Sequence, residues 1–423
     1  MTDHALRIAI LGINYAPESS GIAPYTTGLA RGLAERGHDV RVLTGYPHYP
    51  QWRRMGGRSG FRSAESADGV RIHRFAHFIP RNVSIPGRTV MELTFGLQLL
   101  TAGWNSPSVV VCVSPPLVAA ALAGMRVRLT PGRPAFGVLV HDVYSRAAVE
   151  ACDARSPTAR SLRELESALL RLADGVAVIH DGFVRGLVDD LRVDPHRIRT
   201  IRNWNHVDAP DPSASEEFRA RHGWAVDDVV VLHAGNMGAK QGLENVIEAA
   251  ELSSRRGSRA RFVLLGDGNQ RRRLQASYSE VDTLEFLPPV SEDEFPAALG
   301  AADVLLVNER PGVAQMAVPS KLTTYFRSGK PIVAATDSGG FTAMEVAASG
   351  AGICVPAGRP DLLLDEAIRL GTDLELALEL GAKGQQYCAE TLSATAALDR
   401  YEQWILDLAD TRHSLSRTRS RHG

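Results

Sequence analysis

Cysteine is scarce in this chain, four in 423 residues, and Cys112, Cys152, Cys354 and Cys388 stand far apart with neither a CxxC spacing nor a disulfide-like pattern. A disulfide framework is thereby excluded, and a reducing cytosol fits. An excess of either charge is also missing. The formal net charge is -1, with Lys, Arg, Asp and Glu spread along most of the length, so the chain as a whole carries no electrostatic footprint for nucleic acid. No long apolar run goes unbroken: "SVVVCVSPPLVAAALAGM", residues 108–125, is interrupted by Ser114, Pro115 and Pro116, which argues against a membrane span. The opening "LRIAILG" is too short for a secretion signal, lacks a small-residue cleavage pattern, and reads as a first buried strand. No repeat at solenoid spacing appears. Charge balance fails only at the end, "TRHSLSRTRSRHG", where Arg412, Arg417, Arg419 and Arg421 meet no acid. Such a tail is expected to be disordered, or to touch an anionic membrane surface.

What the chain does have is an alternation of short β-branched runs with amphipathic stretches of helical length, which predicts parallel sheets. A chain of 423 residues with 44% hydrophobic residues exceeds one ordinary core and predicts two domains. In the first half the strand candidates are "LRIAILG", "DVRVLTG", "GVRIHRF", "SVVVCVS", "AFGVLVHD", "GVAVIHD" and "RIRTIRNW", with helical stretches such as 25–35 and 158–172 between them. The segment "HVDAPDPSASEEFRARHGW" breaks that rhythm with acids, prolines and serines before a helical patch, which places a linker near 205–223. A second cycle runs through "DVVVLHAGN", "ARFVLLGDG", "VDTLEFLP", "ADVLLVNE", "KPIVAATD" and "GAGICVPAG". The expected α/β organisation is two Rossmann-like doubly wound domains, residues 1–205 and 206–395, facing each other across a cleft. A helix over 396–410 follows, and then the basic tail 411–423. Leu398, Tyr401, Trp404, Ile405 and Leu408 form one stripe on that helix, so it must pack back on the body. In such sheets ligands sit beyond the carboxyl ends of the strands.

One stretch carries chemistry before any comparison is made. In "VLHAGNMGAKQGLENVIEAA" a strand leads through Gly235, Asn236, Met237 and Gly238 to a helix expected near Gly242. Unpaired backbone N–H groups and the positive helix end would then face one spot, and Lys240 adds a full charge, a combination suited to a phosphate. The competing reading is a tight turn with a solvated lysine. The pattern matches neither the dinucleotide GxGxxG nor the P-loop GxxxxGK[ST], so hydride transfer and ATP hydrolysis lose support.

That stretch, together with "FVLLGDGNQRRRL", "VPSKLTTYFRSGKPIVAA" and "APESSGIAPYTTGLARGLAERGHDVRVLTGYPHYPQW", resembles the retaining GT-B glycosyltransferases of family four, nearest to the branch of colanic-acid and other exopolysaccharide transferases. The likeness runs from about Leu6 to Trp404 with the motif order kept. It implies a nucleotide-sugar donor held by the second domain, a saccharide, lipid-linked or natural-product acceptor held by the first, retention of anomeric configuration, and neither metal nor cofactor. By the same resemblance the donor is bound by Gly21, Ile22, Gly235, Asn236, Met237, Gly238, Lys240, Gly266, Asp267, Ser320 and Lys321, with Lys240 on its diphosphate. Asn236 stands where the family commonly has arginine, and Met316 and Thr324 stand where it commonly has a pair of glutamates. Glu309 and Arg310 are candidates to replace those contacts, or a solvated loop pair.

Residue by residue, plainer readings stand beside these. Ser320 opens a helix and suits an N-cap, leaving Lys321 aimed at an anion. Glu18, an acceptor-contact candidate, lies with Gly21 and Ile22 in the loop after the first strand, which is otherwise an ordinary strand-to-helix turn. His141 and Asp142 end a strand where a doubly wound sheet places chemistry, as catalytic candidates or as structural hydrogen-bonding groups. Tyr46, His48, Tyr49 and Trp52 in "YPHYPQW" are acceptor-stacking candidates, or aromatic packing beneath the site. The mechanism follows from charge: the sugar becomes oxocarbenium-like while negative charge grows on the leaving diphosphate. Lys240, the Gly235–Gly238 amides and Lys321 are candidates to stabilise it, one good donor being worth ~3 kcal/mol. Two other classes fit the same architecture: an epimerase that needs no acceptor, and a non-catalytic nucleotide-sugar-binding partner protein. The expected location is cytoplasmic, with peripheral contact at the inner membrane face.

Overall fold

The computed structural model describes residues 5–19, 21–55, 60–81, 84–144, 156–278, 281–313 and 320–420, with side chains described as far as Arg412. The chain divides into two compact units, residues 1–203 with 394–423, and residues 204–393.

The first unit holds β1 (Arg7–Leu11), β2 (Asp39–Gly45), β3 (Arg62–Ala67), β4 (Val70–Phe75), β5 (Val109–Ser114), β6 (Ala135–Val140), β7 (Gly175–Val178) and β8 (Ile198–Thr200). They form one eight-stranded sheet in the order β3-β4-β2-β1-β5-β6-β7-β8. All pairings are parallel except β3 with β4. Central strands β5 and β6 are buried at every position, as strands covered on both faces must be. β3, "RSAESA", has no apolar alternation and is absent from the sequence-based strand candidates; as a polar edge strand it has only one neighbour to satisfy.

The second unit holds β9 (Val229–Ala234), β10 (Ala260–Leu265), β11 (Leu284–Leu287), β12 (Val304–Asn308), β13 (Ile332–Thr336) and β14 (Gly352–Pro356). All six strand candidates are present, in the parallel order β11-β10-β9-β12-β13-β14. Val230, Leu232, Val263 and Leu305 enter one apolar cluster while Val229, Val231, Phe262 and Leu306 enter the other. Alternate side chains of the same strands thus fill cores on the two sheet faces, which is why these strands read as unbroken apolar runs.

Two expectations are corrected. The segment proposed as a linker, 205–223, contains the helix Pro212–Arg221, whose start is capped by Asp211 through the amides of Ser213 and Ala214 and whose Phe218 is buried in the second unit's core. Its proline and acids mark a helix N-terminus, a composition that a linker shares. The last helix, Ala394–Ser420, continues past 410 rather than giving way to a disordered tail; the side chains of Arg417, Arg419 and Arg421 lie outside the described residues. Its stripe meets the first unit: an added Cβ at Gly32 would lie 2.6 Å from Leu398, one at Gly137 2.7 Å from Trp404, and one at Gly175 2.8 Å from Leu408. Glycine at those positions opens the seat for the helix. Among the described residues no helix is long and apolar enough to cross a membrane.

Candidate active site

In the second unit the site forms at the carboxyl ends of β9, β10 and β12. Two glycine loops leave β9 and β10 and are laced together. Gly235 donates its N–H to Leu265 O at 2.8 Å, Met237 to Asp267 O at 2.8 Å, and Gln270 to Met237 O at 3.0 Å. The approach demands glycine, since a Cβ on Gly266 (φ +138°) would lie 2.0 Å from Gly235 O and one on Gly268 2.4 Å from Met237 O. This corrects the expected amide cradle. The amides of Gly235 and Met237 serve the neighbouring loop, and that of Gly238 donates to Gln241 Oε1 at 3.0 Å. The helix Glu244–Arg255 starts close to the expected Gly242, after a 3-10 turn, Ala239–Gln241. Side-chain charge is therefore the main resource of this loop. Lys240 is exposed and makes no ion pair among the described residues, while its carbonyl accepts the Arg310 N–H at 2.9 Å. Asn308 holds the loop in place, its Nδ2 donating to Gln241 O at 2.7 Å and Gly242 O at 3.0 Å.

Lys321 begins the helix Lys321–Ser328 and directs its ammonium back over the β9 loop. Its Nζ lies 3.1 Å from His233 Nε2, and an added Cβ on Gly235 would be 3.9 Å from that Nζ. Burial lowers the Lys321 ammonium to about 7, partly opposed by the attraction of Glu309. Burial, and then Lys321, drive His233 well below the usual imidazole range, so it stays neutral at pH 7. Glu309 is itself raised by burial; its two oxygens accept from Thr336 Oγ1 at 2.5 Å and Thr342 Oγ1 at 2.7 Å. Those bonds occupy the carboxylate suggested as a replacement for sugar-hydroxyl contacts. Ser320 sits at the N-cap but is helical in conformation and makes no side-chain cap bond, against the capping expectation. Met316 and Pro319 lie outside the described residues, and Thr324 is buried in the helix. Asp267 is exposed, with Oδ1 accepting the Gly268 N–H at 2.8 Å.

In the first unit, Glu18 is 4% exposed and pins the aromatic loop from below. Its Oε1 accepts the N–H groups of His48 at 2.7 Å and Tyr49 at 2.8 Å, and its Oε2 accepts Asn14 Nδ2 at 2.8 Å. Burial raises its carboxyl despite these bonds. Glu18 thus positions the loop, which differs from the direct acceptor contact expected of it. Gly21 (φ +67°) passes beneath the Tyr49 ring, where a Cβ would meet Cε1 at 3.2 Å, and Ile22 occupies the position before the helix Ala23–Glu35 without a side-chain cap bond. Tyr46 and His48 are buried; Tyr49 and Trp52 are half-buried, their ring centroids 6.1 Å apart. The charge of Asp142 reaches Tyr49, so β6 and the aromatic loop converge. His141 is buried, 5.7 Å from the Tyr25 ring, and its Nε2 has no hydrogen-bond partner among the described residues. Burial lowers it to about 4.

Sequence reasoning missed His77, whose ring is 4.7 Å from that of His48, and it missed His233, Asn308 and Tyr325. Tyr325 Oη accepts the Ala234 N–H at 2.8 Å and so anchors the end of β9. The available signal was polarity at the end of an apolar run, "VVVLHA" and "VLLVN", where a strand meets its ligand edge.

Comparisons with known proteins agree with this layout. Residues 20–204 match the glycosyl transferase 4-like domain, and residues 214–387 match the glycosyl transferases group 1 domain. The chain is 28% identical over 335 residues to WcaI of Escherichia coli (strain K12), named as a colanic acid biosynthesis glycosyl transferase, covering 77% of this chain and 82% of that one. Among solved structures, sucrose-phosphate synthase from Thermosynechococcus elongatus superposes with a TM-score of 0.75 at 17% identity, covering 96% of this chain and 99% of that one. Anabaena HepE, in complex with UDP and glucose, gives 0.69 at 15% identity, covering 94% and 98%. With the two domain types in sequence and two Rossmann-like parallel-sheet units in the fold, the chain belongs to the GT-B glycosyltransferases.

Proposed function

We propose that this glycosyltransferase moves a sugar from a GDP- or UDP-sugar to a hydroxyl of a saccharide acceptor, with retention of anomeric configuration and without a metal or other cofactor. The observation that carries the reading is the half-buried Lys321 ammonium above Gly235, ringed by His233 and Glu309 at the ligand end of the second sheet. A cation held in such surroundings gains most from a group whose charge grows during reaction, and a departing nucleoside diphosphate is one. Lys240 supplies a second charge from the exposed loop. Gly235, Asn236 and Gly266 let the diphosphate approach the main chain; Met237 and Asp267 hold the loops together, and Gly238 and Ser320 flank the two cations. HepE was solved with UDP, which supports a diphosphate nucleotide as the ligand class. His141 and Asp142 are proposed at the reacting sugar. A neutral His141 with an open Nε2 can donate to, or accept from, a sugar hydroxyl according to its tautomer. For the acceptor, Tyr49 and Trp52 offer stacking faces, and Val90, Leu93, Leu97 and Phe78 are exposed apolar side chains that favour a lipid-linked saccharide at a membrane surface.

Thermal-shift titration with GDP and with UDP tests the donor site. One nucleotide at 100 times its Kd should add about 2.7 kcal/mol of stability. Lys240→Ala and Lys321→Ala should each lose most of that gain while remaining folded. If neither nucleotide raises the Tm, and turnover is unchanged in both variants, the donor assignment is wrong. Formation of a new nucleotide sugar without any acceptor would instead favour an epimerase, and nucleotide binding without transfer across an acceptor panel would favour a binding protein.

A further inference from the structure

A second basic site lies on the sheet of the first unit. A cavity of about 350 Å³ is lined by Arg41, Arg62, His73, Phe75, Ala102 and Gly103. Strand register explains why these groups meet. Arg41 is opposite Arg71 across β2 and β4, while Ala64 is opposite His73 and Arg62 opposite Phe75 across β3 and β4. Side chains two apart on a strand share a face, so Arg71, His73 and Phe75 point the same way as Arg41 and Arg62. Arg41 and Arg71 also sit near the beginnings of their strands, away from the Gly45 end where the Glu18 cluster gathers.

The charges here are only partly answered. Arg71 pairs with Asp39. Arg62 donates to Gln98 Oε1 at 3.2 and 2.9 Å and to Thr101 Oγ1 at 2.6 Å; Arg41 Nη1 donates to Gly103 O at 3.1 Å. None of those acceptors is charged. Arg41 Nε is buried and has no acceptor among the described residues. Burial, followed by the nearby Arg41 and Arg71, lowers the His73 imidazolium. Three guanidiniums therefore face one carboxylate, and a buried N–H on a permanent cation lacks the partner that buried polar groups almost always have. A planar guanidinium fork matches a tetrahedral oxyanion by geometry as well as by charge.

We propose that this cavity binds a phosphate-monoester oxyanion, with Arg41 and Arg62 as its ligands and His73 at its wall. The chemistry is shared by a soluble phosphate ester and by a lipid headgroup. Phe61 and Leu97, next in sequence to Arg62 and Gln98, are 65% and 51% exposed and make a headgroup sterically compatible.

Calorimetric titration of the full chain with inorganic phosphate tests the site. The unsubstituted protein should bind phosphate, while Arg41→Gln and Arg62→Gln should each bind about tenfold more weakly or worse. Circular dichroism checks that each variant is folded, and if Arg41→Gln is not, Arg62→Gln decides. The proposal is overturned if the unsubstituted chain gives no binding heat, if both arginine variants retain it, or if Lys240→Ala alone abolishes it. Sedimentation with phosphatidic acid vesicles then separates the sources. Arginine-dependent pelleting assigns a headgroup, and phosphate binding without pelleting assigns a soluble ester.

Discussion

Lys321 shows how one side chain links burial to chemistry. An ordinary lysine keeps its proton to about pH 10.4, whereas burial lowers this one to about 7. The unfolded chain therefore binds more protons than the folded chain between those values, and this group makes the second unit more stable as pH rises through that window. A bound diphosphate acts in the opposite direction, because it favours the charged ammonium. Nucleotide binding should accordingly take up a proton near neutral pH and weaken between pH 7 and 9. Lys321→Met should flatten that dependence, which calorimetry in buffers of different ionisation enthalpy would register. A pH-independent affinity in the unsubstituted protein would separate Lys321 from the ligand. The lysine was legible in "VPSKLTTYF" as a charge at a helix start. Its depressed proton affinity was not, because it depends on burial beside His233, whose position comes from a strand some ninety residues earlier.

At the level of loops and strands, the glycine positions were legible but their purpose was not. Gly235 and Gly266 appear in two motifs that suggest backbone approach to a phosphate. In the structure the close approach is between the two loops themselves, the Gly235 and Met237 amides are spent on the neighbouring loop, and that of Gly266 on Leu287 O. Gly266→Ala should therefore cost on the order of 3 kcal/mol of second-unit stability, because a Cβ 2.0 Å from Gly235 O forces one loop away from the other. Urea unfolding measures the cost, and nucleotide affinity should fall with it. An unchanged midpoint would mean that the loops move apart freely. Apolar strands were readable because parallel strands buried on both faces consist of little else, whereas β3 was hidden by its polar edge position. Asp211 and Pro212 were read as linker because a capped helix start uses the same residues as a flexible turn.

Taken together, the chain is two compact units. The first is completed by residues 394–423, which return to it after the second unit ends. Trp404 is 4% exposed and lies against Gly137 and Gly175, so Trp404→Ala should leave a cavity and destabilise the first unit by ~3–5 kcal/mol. Differential scanning calorimetry should then show the first unit's transition shifted down and the second unit's nearly in place. Equal shifts in both would mean that the two units unfold as one.

Hydrophobic period and turn chemistry are local properties, and from them alone came the two parallel-sheet domains and the order of the second unit's strands along the chain; the family resemblance came from four motifs in order. Which unit receives the last helix depends on a glycine seat assembled from Gly32, Gly137 and Gly175. The Gly235 and Met237 amides became unavailable, Glu18 became a clamp for the aromatic loop, and Lys321 lost proton affinity through contacts between residues distant in sequence. Those outcomes belong to folding because burial and hydrogen-bond partnership depend on which distant segments meet, and a local pattern carries no record of its partners.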